Sequence, residues 1–277
     1  MKKYSYPTVL SIAGFDGSGG AGIQADTKTI SALGCYATNI LTALPVQNTQ
    51  GVRNIFPIPL EVVEEQLDCI FDDIIPDAIK IGMVHTSELA KIISKKLKQF
   101  PEIPIVFDPV MVATSGHQLI NQETIEVLVS ELFPLSTIIT PNMDEASVLV
   151  KKKIETLQDM EQNIEKLANL GAKSVLLKGG HLKSDVLTSL FIDRDKTIHS
   201  FVFPHFSTNN THGSGCTLSS AIASYFALGK NLLEAVELGQ KYVHTAIEQA
   251  LDVKTGNGNG PLNHSFNPNK MIKNELE

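Results

Sequence analysis

The chain has 277 residues, of which 43% are hydrophobic and 19% charged, the balance of a globular protein with room for a full core. Its formal net charge is −7 with no long basic run, which argues against a nucleic-acid footprint but not against a phosphorylated substrate, because the local field matters more than the total. Three cysteines, Cys35, Cys69 and Cys216, make no CxxC pair and suit neither a disulfide framework nor a structural zinc site.

The amino-terminal stretch carries two lysines and then a short apolar run that stops at Asp16 without a clean cleavage site. It reads as a buried first strand rather than a leader. No apolar run reaches the length of about 18 residues that a membrane span needs. The expectation is a cytoplasmic protein without a membrane segment.

Short apolar runs then alternate with longer amphipathic ones. Strands are predicted at 8–14, 38–47, 78–82, 104–110, 136–140, 174–178, 186–192 and 198–203. Helices are predicted at 20–33, 59–73, 86–98, 121–132, 143–150, 156–170, 215–228 and 231–250. This alternation predicts an α/β fold, a central mainly parallel sheet with helices on both faces. The last two strands have no helix between them and suggest a hairpin. No linker or repeat interrupts the chain before 255, so a single domain is expected. The glycine-rich loop TGNGNGPLNH follows, and the polar stretch from about 265 reads as a mobile tail.

In such a sheet, ligands bind beyond the carboxyl ends of the strands. The unusual residues gather there: Asp16 with its glycines, Gln47–Asn48, Gly82–Met83, Asp108 with Met111, Pro141–Asn142 and Lys178–Gly180. GSGGAG (17–22) fits the dinucleotide pattern GxGxxG, but its acidic partner is missing, since no carboxylate occurs from Cys35 to Gly51 and Asp26 comes too early. An oxidoreductase therefore ranks low, and a tight strand-to-helix turn is the simpler reading. P-loop, protein-kinase and hydrolase motifs are absent.

THGSGCTLSSA (211–221) is the most specific stretch. It reads either as a glycine-assisted helix start or as a cradle whose N–H groups, Gly213 to Cys216, face one anion. Glu145, in the first turn after TPN, suits capping or a water-mediated Mg²⁺. Lys178, leaving an apolar strand at its open end, suits nucleotide phosphates or plain exposure. His85, His117, His181 and His212 share no metal spacing and read as loop residues, His212 lining the anion loop. The other lysines of 173–183 read as a solvated rim.

Together these motifs resemble the ribokinase-like superfamily, and within it the hydroxymethylpyrimidine/phosphomethylpyrimidine kinases of thiamine biosynthesis. The carriers are SGGAGIQADTKT, LTALPVQNTQGV, KIGMV, DPVMVATSG, TPNMDEA, LLKGGH, THGSGCTLSSAIA and GNGNGPLNH, in family order from about Thr8 to His264. The resemblance implies ATP- and Mg²⁺-dependent phosphorylation of 4-amino-5-hydroxymethyl-2-methylpyrimidine and then of its monophosphate, by a homo-oligomer, as a dimer. It implies that Gln47 reads the aminopyrimidine through its amide, with Gly14, Asp26, Met83 and Val110 lining the pocket. Asn142, Thr211, Gly213, Ser214 and Gly215, with Lys178, would bind ATP. Glu145 and Asp108 would serve the metal, and Cys216, Gly213, Gly215 and Lys178 catalysis. Cys216 would take the hydroxyl proton as a thiolate, a form that a helix N-terminus favours. A neutral thiol, unlike a carboxylate, would also tolerate a phosphorylated second acceptor.

The sequence departs from the family pattern at Phe15 and Gly17, and at Asn257 and Asn259 where His is expected. The rival on the same scaffold is a pyridoxal or pyridoxine kinase, against which the pair Gln47–Asn48 argues. A non-catalytic pyrimidine-binding regulator is the rival from another class, and it would be expected to lose Lys178, Glu145 or the GSGC loop.

Overall fold

The computed structural model describes residues 3–111, 120–180, 182 and 184–276. His117, His181 and residues 112–116 of the DPVMVATSG motif lie outside them. In chain order the elements are β1 (Tyr4–Ser5), β2 (Thr8–Ala13), α1 (Gly22–Ala32), β3 (Tyr36–Leu41), β4 (Ala43–Asn48), β5 (Gly51–Pro57), α2 (Leu60–Asp73), β6 (Ala78–Ile81), α3 (Ser87–Leu97), β7 (Ile105–Phe107) and α4 (Gln122–Val127). After a π turn and a 3₁₀ turn come β8 (Ile138–Ile139), α5 (Met143–Val150), α6 (Leu157–Ala168), β9 (Val175–Leu177), β10 (Val186–Ile192), β11 (Ile198–Pro204), α7 (Ser214–Ala227), α8 (Leu232–Glu248) and β12 (Asn274–Glu275). The chain folds into two compact units, one of Met1–Gly82, Glu102–Pro104 and Phe206–Glu277, the other of Met83–Pro101 and Ile105–His205.

In the first unit β2 pairs in parallel with β3 on one side and β6 on the other. Every residue of β2 and β6 is buried. Successive side chains point to opposite faces, so both faces are covered, which is why these strands read as continuous apolar runs rather than alternating ones. α1 and α7 contact β2, and α8 packs along α7. The second unit pairs β7, β8 and β9 in parallel and adds β10 and β11 antiparallel, the hairpin expected from the missing crossover helix.

Three segments differ from the expectations. The strand predicted at 38–47 breaks at Thr42 into β3 and β4, and β4 turns back through β5 as a separate two-stranded sheet with a bulge at Val46–Gln47. Thr42 is the pivot: its N–H donates to Ala13 and its carbonyl accepts from Ile58, so the hairpin leaves and rejoins at one residue. Pro45 and Pro57, which central strands exclude, sit in this hairpin. The helix expected over 121–132 is α-helical only to Val127, then widens to a π turn ahead of Pro134, whose ring cannot continue the ladder. The polar tail is docked: Asn269 and Ile272 donate to Ala32 and Gly34, and β12 pairs antiparallel with β1.

A buried ion pair joins four elements of the first unit. Lys80 Nζ on β6 lies 2.8 Å from Asp26 Oδ2 on α1, and both side chains are fully buried. Ser11 on β2 donates to the same carboxylate oxygen at 2.6 Å, and Ser220 on α7 donates to the other at 2.7 Å. Removing one partner of a buried pair strands the other charge at a cost of about 3–5 kcal/mol. Lys80→Met is therefore expected to lower the urea midpoint sharply, and the added change Asp26→Asn to recover part of it because the stranded charge is gone. Equal midpoints for wild type and Lys80→Met would contradict this.

Candidate active site

The glycine turn of the first unit is folded around its own carboxylate. Asp16 is fully buried. Its Oδ1 accepts from the Ser18 N–H and hydroxyl, and its Oδ2 accepts from the N–H groups of Gly20 and Ala21. The Gly19 N–H donates to the Asp16 carbonyl, and the Ile23 N–H to the Gly14 carbonyl. A dinucleotide fingerprint needs such N–H groups for pyrophosphate; here they are spent internally, which is the structural reason that the GxGxxG match carries no cofactor role. His212 Nε2 stands 2.9 Å from Asp16 Oδ2. Burial raises the Asp16 pKa, but the hydrogen bonds from His212, Ser18 and Ala21 outweigh it and hold the group well below the usual carboxylate range.

Against this turn sits the second glycine loop. Gly213 is the N-cap of α7, in the left-handed region at φ +79°, and contributes no side-chain cap. A Cβ there would overlap the Gly20 carbonyl oxygen. Only glycine meets both demands. α7 begins at Ser214, so Gly215 and Cys216 lie in its first turn, half-buried, as does Ser214. The helix start thus offers backbone N–H groups and the positive end of a dipole without a capping side chain in competition. The first turn is anchored from behind: the Thr217 hydroxyl donates to the Gly213 carbonyl and lies 3.0 Å from Nε2 of buried His264. Burial, with Lys28 and His212 nearby, lowers the His264 pKa to about 4, so this imidazole stays neutral at physiological pH. Thr211, just before the loop, is exposed.

Gln47 does not close a sheet strand, as the sequence suggests; it sits at the bulge of β4, half-buried, with its Nε2 3.5 Å from the Phe15 carbonyl. Gly14, beside Phe15, is buried at the end of β2. The loop after α8 locks the hairpin turn. The Asn259 N–H donates to the Thr49 carbonyl, and a Cβ on Gly258 would overlap that same carbonyl. Asp26, expected in the pocket lining, is instead fully buried with both oxygens engaged by Ser11, Ser220 and Lys80. Its carboxylate ties α1, β2 and β6 to α7. Met83 and Val110, the other expected pocket residues, belong to the second unit and are half-buried.

The second unit gathers the remaining charged residues. Asp108, just beyond β7, accepts on Oδ1 from Lys178 Nζ at 2.6 Å and from the Thr140 hydroxyl at 3.1 Å. Asn142 and Glu145 form a capping box at the start of α5, each side chain accepting from the other's N–H at 2.9 and 2.7 Å. A parallel bridge between Asn142 and Lys178 extends the β8–β9 pairing into this cluster. Burial raises the Glu145 pKa to about 7; Asp108 adds to the rise, while Lys178 and the N–H groups of Asn142 and Met111 oppose it. The reciprocal hydrogen bonds of the box satisfy the capping reading, and the unsatisfied charge favours the metal reading as well. Two buried carboxylates and one ammonium leave the cluster short of positive charge. Hard oxygen donors in that state fit Mg²⁺, which keeps several waters and needs few protein ligands. Among the described residues no group of three or more His, Cys, Asp or Glu is placed to hold a metal ion.

Sequence reasoning missed Lys80, Thr49 and the Asp16–His212 contact. Lysine in the apolar run AIKIG was the available signal, since a charge there requires a buried partner.

Because the folded-state Glu145 pKa lies above the free value of 4.5, the neutral form is favoured on folding. That stabilisation is complete below about pH 4.5 and is lost as pH rises through about 7. Glu145→Gln, which keeps the acceptor oxygen of the capping box, is expected to melt increasingly above wild type between pH 5 and pH 8. A melting difference that stays constant across that range would contradict the buried charge.

The chain matches the family described as Phosphomethylpyrimidine kinase over residues 16–263. It is 44% identical over 256 residues to the hydroxymethylpyrimidine/phosphomethylpyrimidine kinase of Rhizobium meliloti, covering 92% of this chain and 96% of that protein. It is 44% identical over 257 residues to a thiamine biosynthesis bifunctional protein of Geobacter sulfurreducens, covering 93% of this chain and 52% of the relative, so the chain spans about half of that longer protein. The fold is similar to that of Bacillus subtilis pyridoxal kinase in an ADP complex, with a TM-score of 0.87, 34% identity and coverage of 94% and 98%. With its GSGC helix start, its Lys178–Asp108–Glu145 cluster and these relatives, the chain belongs to the phosphomethylpyrimidine kinase family.

Proposed function

We propose that this protein transfers the γ-phosphoryl group of ATP to the hydroxymethyl oxygen of 4-amino-5-hydroxymethyl-2-methylpyrimidine, and then phosphorylates the monophosphate, in thiamine biosynthesis. The observation that carries the reading is the α7 start: a helix N-terminus with no capping side chain and Cys216 in its first turn. The family match and the similarity to a kinase described in complex with ADP support it.

The N–H groups of Gly213, Gly215 and Cys216 would face the equatorial oxygens of the transferring group, where charge grows in the transition state, while the Ser214 N–H donates to the Thr211 carbonyl and holds the loop. Thr211 and Asn142 border the nucleotide. The Lys178 ammonium, held in place by Asp108, pairs with the nucleotide phosphates. Asp108 and Glu145 would hold Mg²⁺ through water, and that ion supplies further neutralisation of the phosphates. Gln47 reads the exocyclic amine with its carbonyl and the adjacent ring nitrogen with its amide N–H, the complementarity by which Gln reads adenine. Gly14, Met83 and Val110 complete the acceptor's surroundings. In the first transfer the substrate hydroxyl gives its proton to the Cys216 thiolate as oxygen bonds to phosphorus and the bond to ADP breaks. In the second the acceptor is already an oxyanion and needs no base.

No helix among the described residues is long and apolar enough to cross a membrane, and an ATP-dependent reaction of this kind suits the cytoplasm. Leu44, Val46, Val52 and Phe56, exposed on the β4–β5 hairpin, give a homo-oligomer an apolar surface to cover.

Separate assays of the two half-reactions, with pyridoxal as a competing acceptor, test the reading. Cys216→Ala is expected to slow the alcohol transfer by roughly 100-fold or more, the scale of general-base catalysis, and the monophosphate transfer far less. Cys216→Asp should retain more of the first step and harm the second by repulsion. Equal losses in both half-reactions would remove the base role, and preference for pyridoxal would reassign the acceptor. Gln47→Met is expected to raise KM for the pyrimidine in both steps by about 10-fold or more, since it leaves the acceptor's polar edge unpaired; an unchanged KM would place the reader elsewhere.

A further inference from the structure

The chain enters the anion loop through His212, and His212 is held from two sides. Its main-chain N–H donates to the Gly260 carbonyl at 3.0 Å. Its ring reaches into the glycine turn, where Nε2 lies 2.9 Å from Asp16 Oδ2. A Cβ on Gly20 would stand 2.5 Å from His212 Cδ2, so the turn has been cleared of side chains where the ring lies across it. Asp16 already accepts four hydrogen bonds from Ser18, Gly20 and Ala21. An ionised carboxylate can only accept, so the proton in the fifth contact belongs to His212 Nε2. The imidazole is thereby fixed in one orientation by a group that is itself immobilised. The residue after His212 is Gly213, whose left-handed conformation and contact with the Gly20 carbonyl set the direction of α7.

We propose that Asp16 is a positioning residue for phosphoryl transfer: it grips the His212 ring so that the N–H groups of Gly213, Gly215 and Cys216 stay aimed at the transferring phosphate. The inference rests on the kinase reading above and adds a member that neither the family match nor the GSGC motif assigns. The physical reason is preorganisation. Donors that stabilise the transition state contribute only if their directions are set before the charge develops, so loosening them lowers kcat and leaves ground-state binding largely intact.

His212→Ala removes the grip and leaves the Asp16 nest with four donors. His212→Gln offers rescue, because the Gln side-chain nitrogen lies as many bonds from Cα as His Nε2 and can donate to the same oxygen. Three measurements on the full-length chain test the proposal: steady-state kinetics of the alcohol transfer, its pH profile, and amide hydrogen exchange of the segment 211–217. For His212→Ala we expect kcat to fall roughly 10- to 100-fold, the scale of a disturbed oxyanion donor, with KM for ATP and acceptor changed less than about threefold. Amide exchange in 211–217 should rise by about tenfold or more as the loop opens locally. His212→Gln should recover kcat to within about fivefold of wild type and keep both limbs of the pH profile, because only the grip is required.

A kcat within twofold of wild type for His212→Ala, or exchange that does not change, would overturn the proposal. So would a His212→Gln enzyme as slow as His212→Ala, or one that has lost a limb of the pH profile, since His212 would then act as an acid or base. The kinase reading fails separately, if the wild-type chain transfers no phosphate to the hydroxymethylpyrimidine; the exchange measurement still decides whether the Asp16–His212 contact orders the loop.

Discussion

The first unit depends on where its negative charge is buried. Asp26, fully buried, draws Lys80, Ser11 and Ser220 onto one carboxylate. Ser220 lies four residues beyond Cys216, on the next turn of the same helix. A hydrogen bond at that point fixes the rotation of α7 about its axis, and so fixes the directions of the N–H groups at its start. A hydrophobic contact in its place would permit more rotation, because it carries no directional preference. Buried ion pairs are poor sources of net stability; this one makes sense as a choice of geometry, with Lys80 on β6 holding the carboxylate to which Ser220 of α7 donates.

Asp16 applies the same physics to a loop. A turn rich in glycine has more conformational freedom than the chain can leave unspent, and a carboxylate that collects N–H groups from Ser18, Gly20 and Ala21 removes it. The consequence for function is negative as well as positive. The turn that by sequence pattern looked ready for a pyrophosphate has already bound an anion of its own. It offers backbone, through the Gly20 carbonyl, for Gly213 to rest against.

Much of this was legible in the sequence for a definite reason. β2, β6 and β9 are buried on both faces and therefore read as unbroken apolar runs. Asp108, Glu145 and Lys178 follow β7, β8 and β9, where apolar strands end in polar residues. What was not legible depended on partners remote in sequence. Nothing local distinguishes Asp26, bonded to residues 15 before and 54 and 194 after it, from an aspartate that faces a pocket. The break at Thr42 is set by hydrogen bonds with Ala13 and Ile58, and the docking of the tail by the carbonyls of Ala32 and Gly34. Local pattern showed residue types, but not which of them had already found each other.

The thiol at the start of α7 can be weighed against the other charges of the protein. In the cluster of Asp108, Glu145 and Lys178, burial above all, with Asp108 adding to it, raises the Glu145 pKa to about 7 against the opposing charge of Lys178. Nucleotide phosphates bring more negative charge. A carboxylate in the position of Cys216 would add one further fixed anion, and a phosphorylated acceptor would meet it at close range. Repulsion of that kind grows as water is excluded. A thiol avoids the problem, because it can be charged when an alcohol must lose a proton and neutral when the acceptor is itself an anion. The two fully buried carboxylates of the first unit, Asp16 and Asp26, are both engaged by hydrogen bonds within the protein. On the proposed reading the loop presents backbone donors and one thiol, which would suit two acceptors that differ by a phosphate.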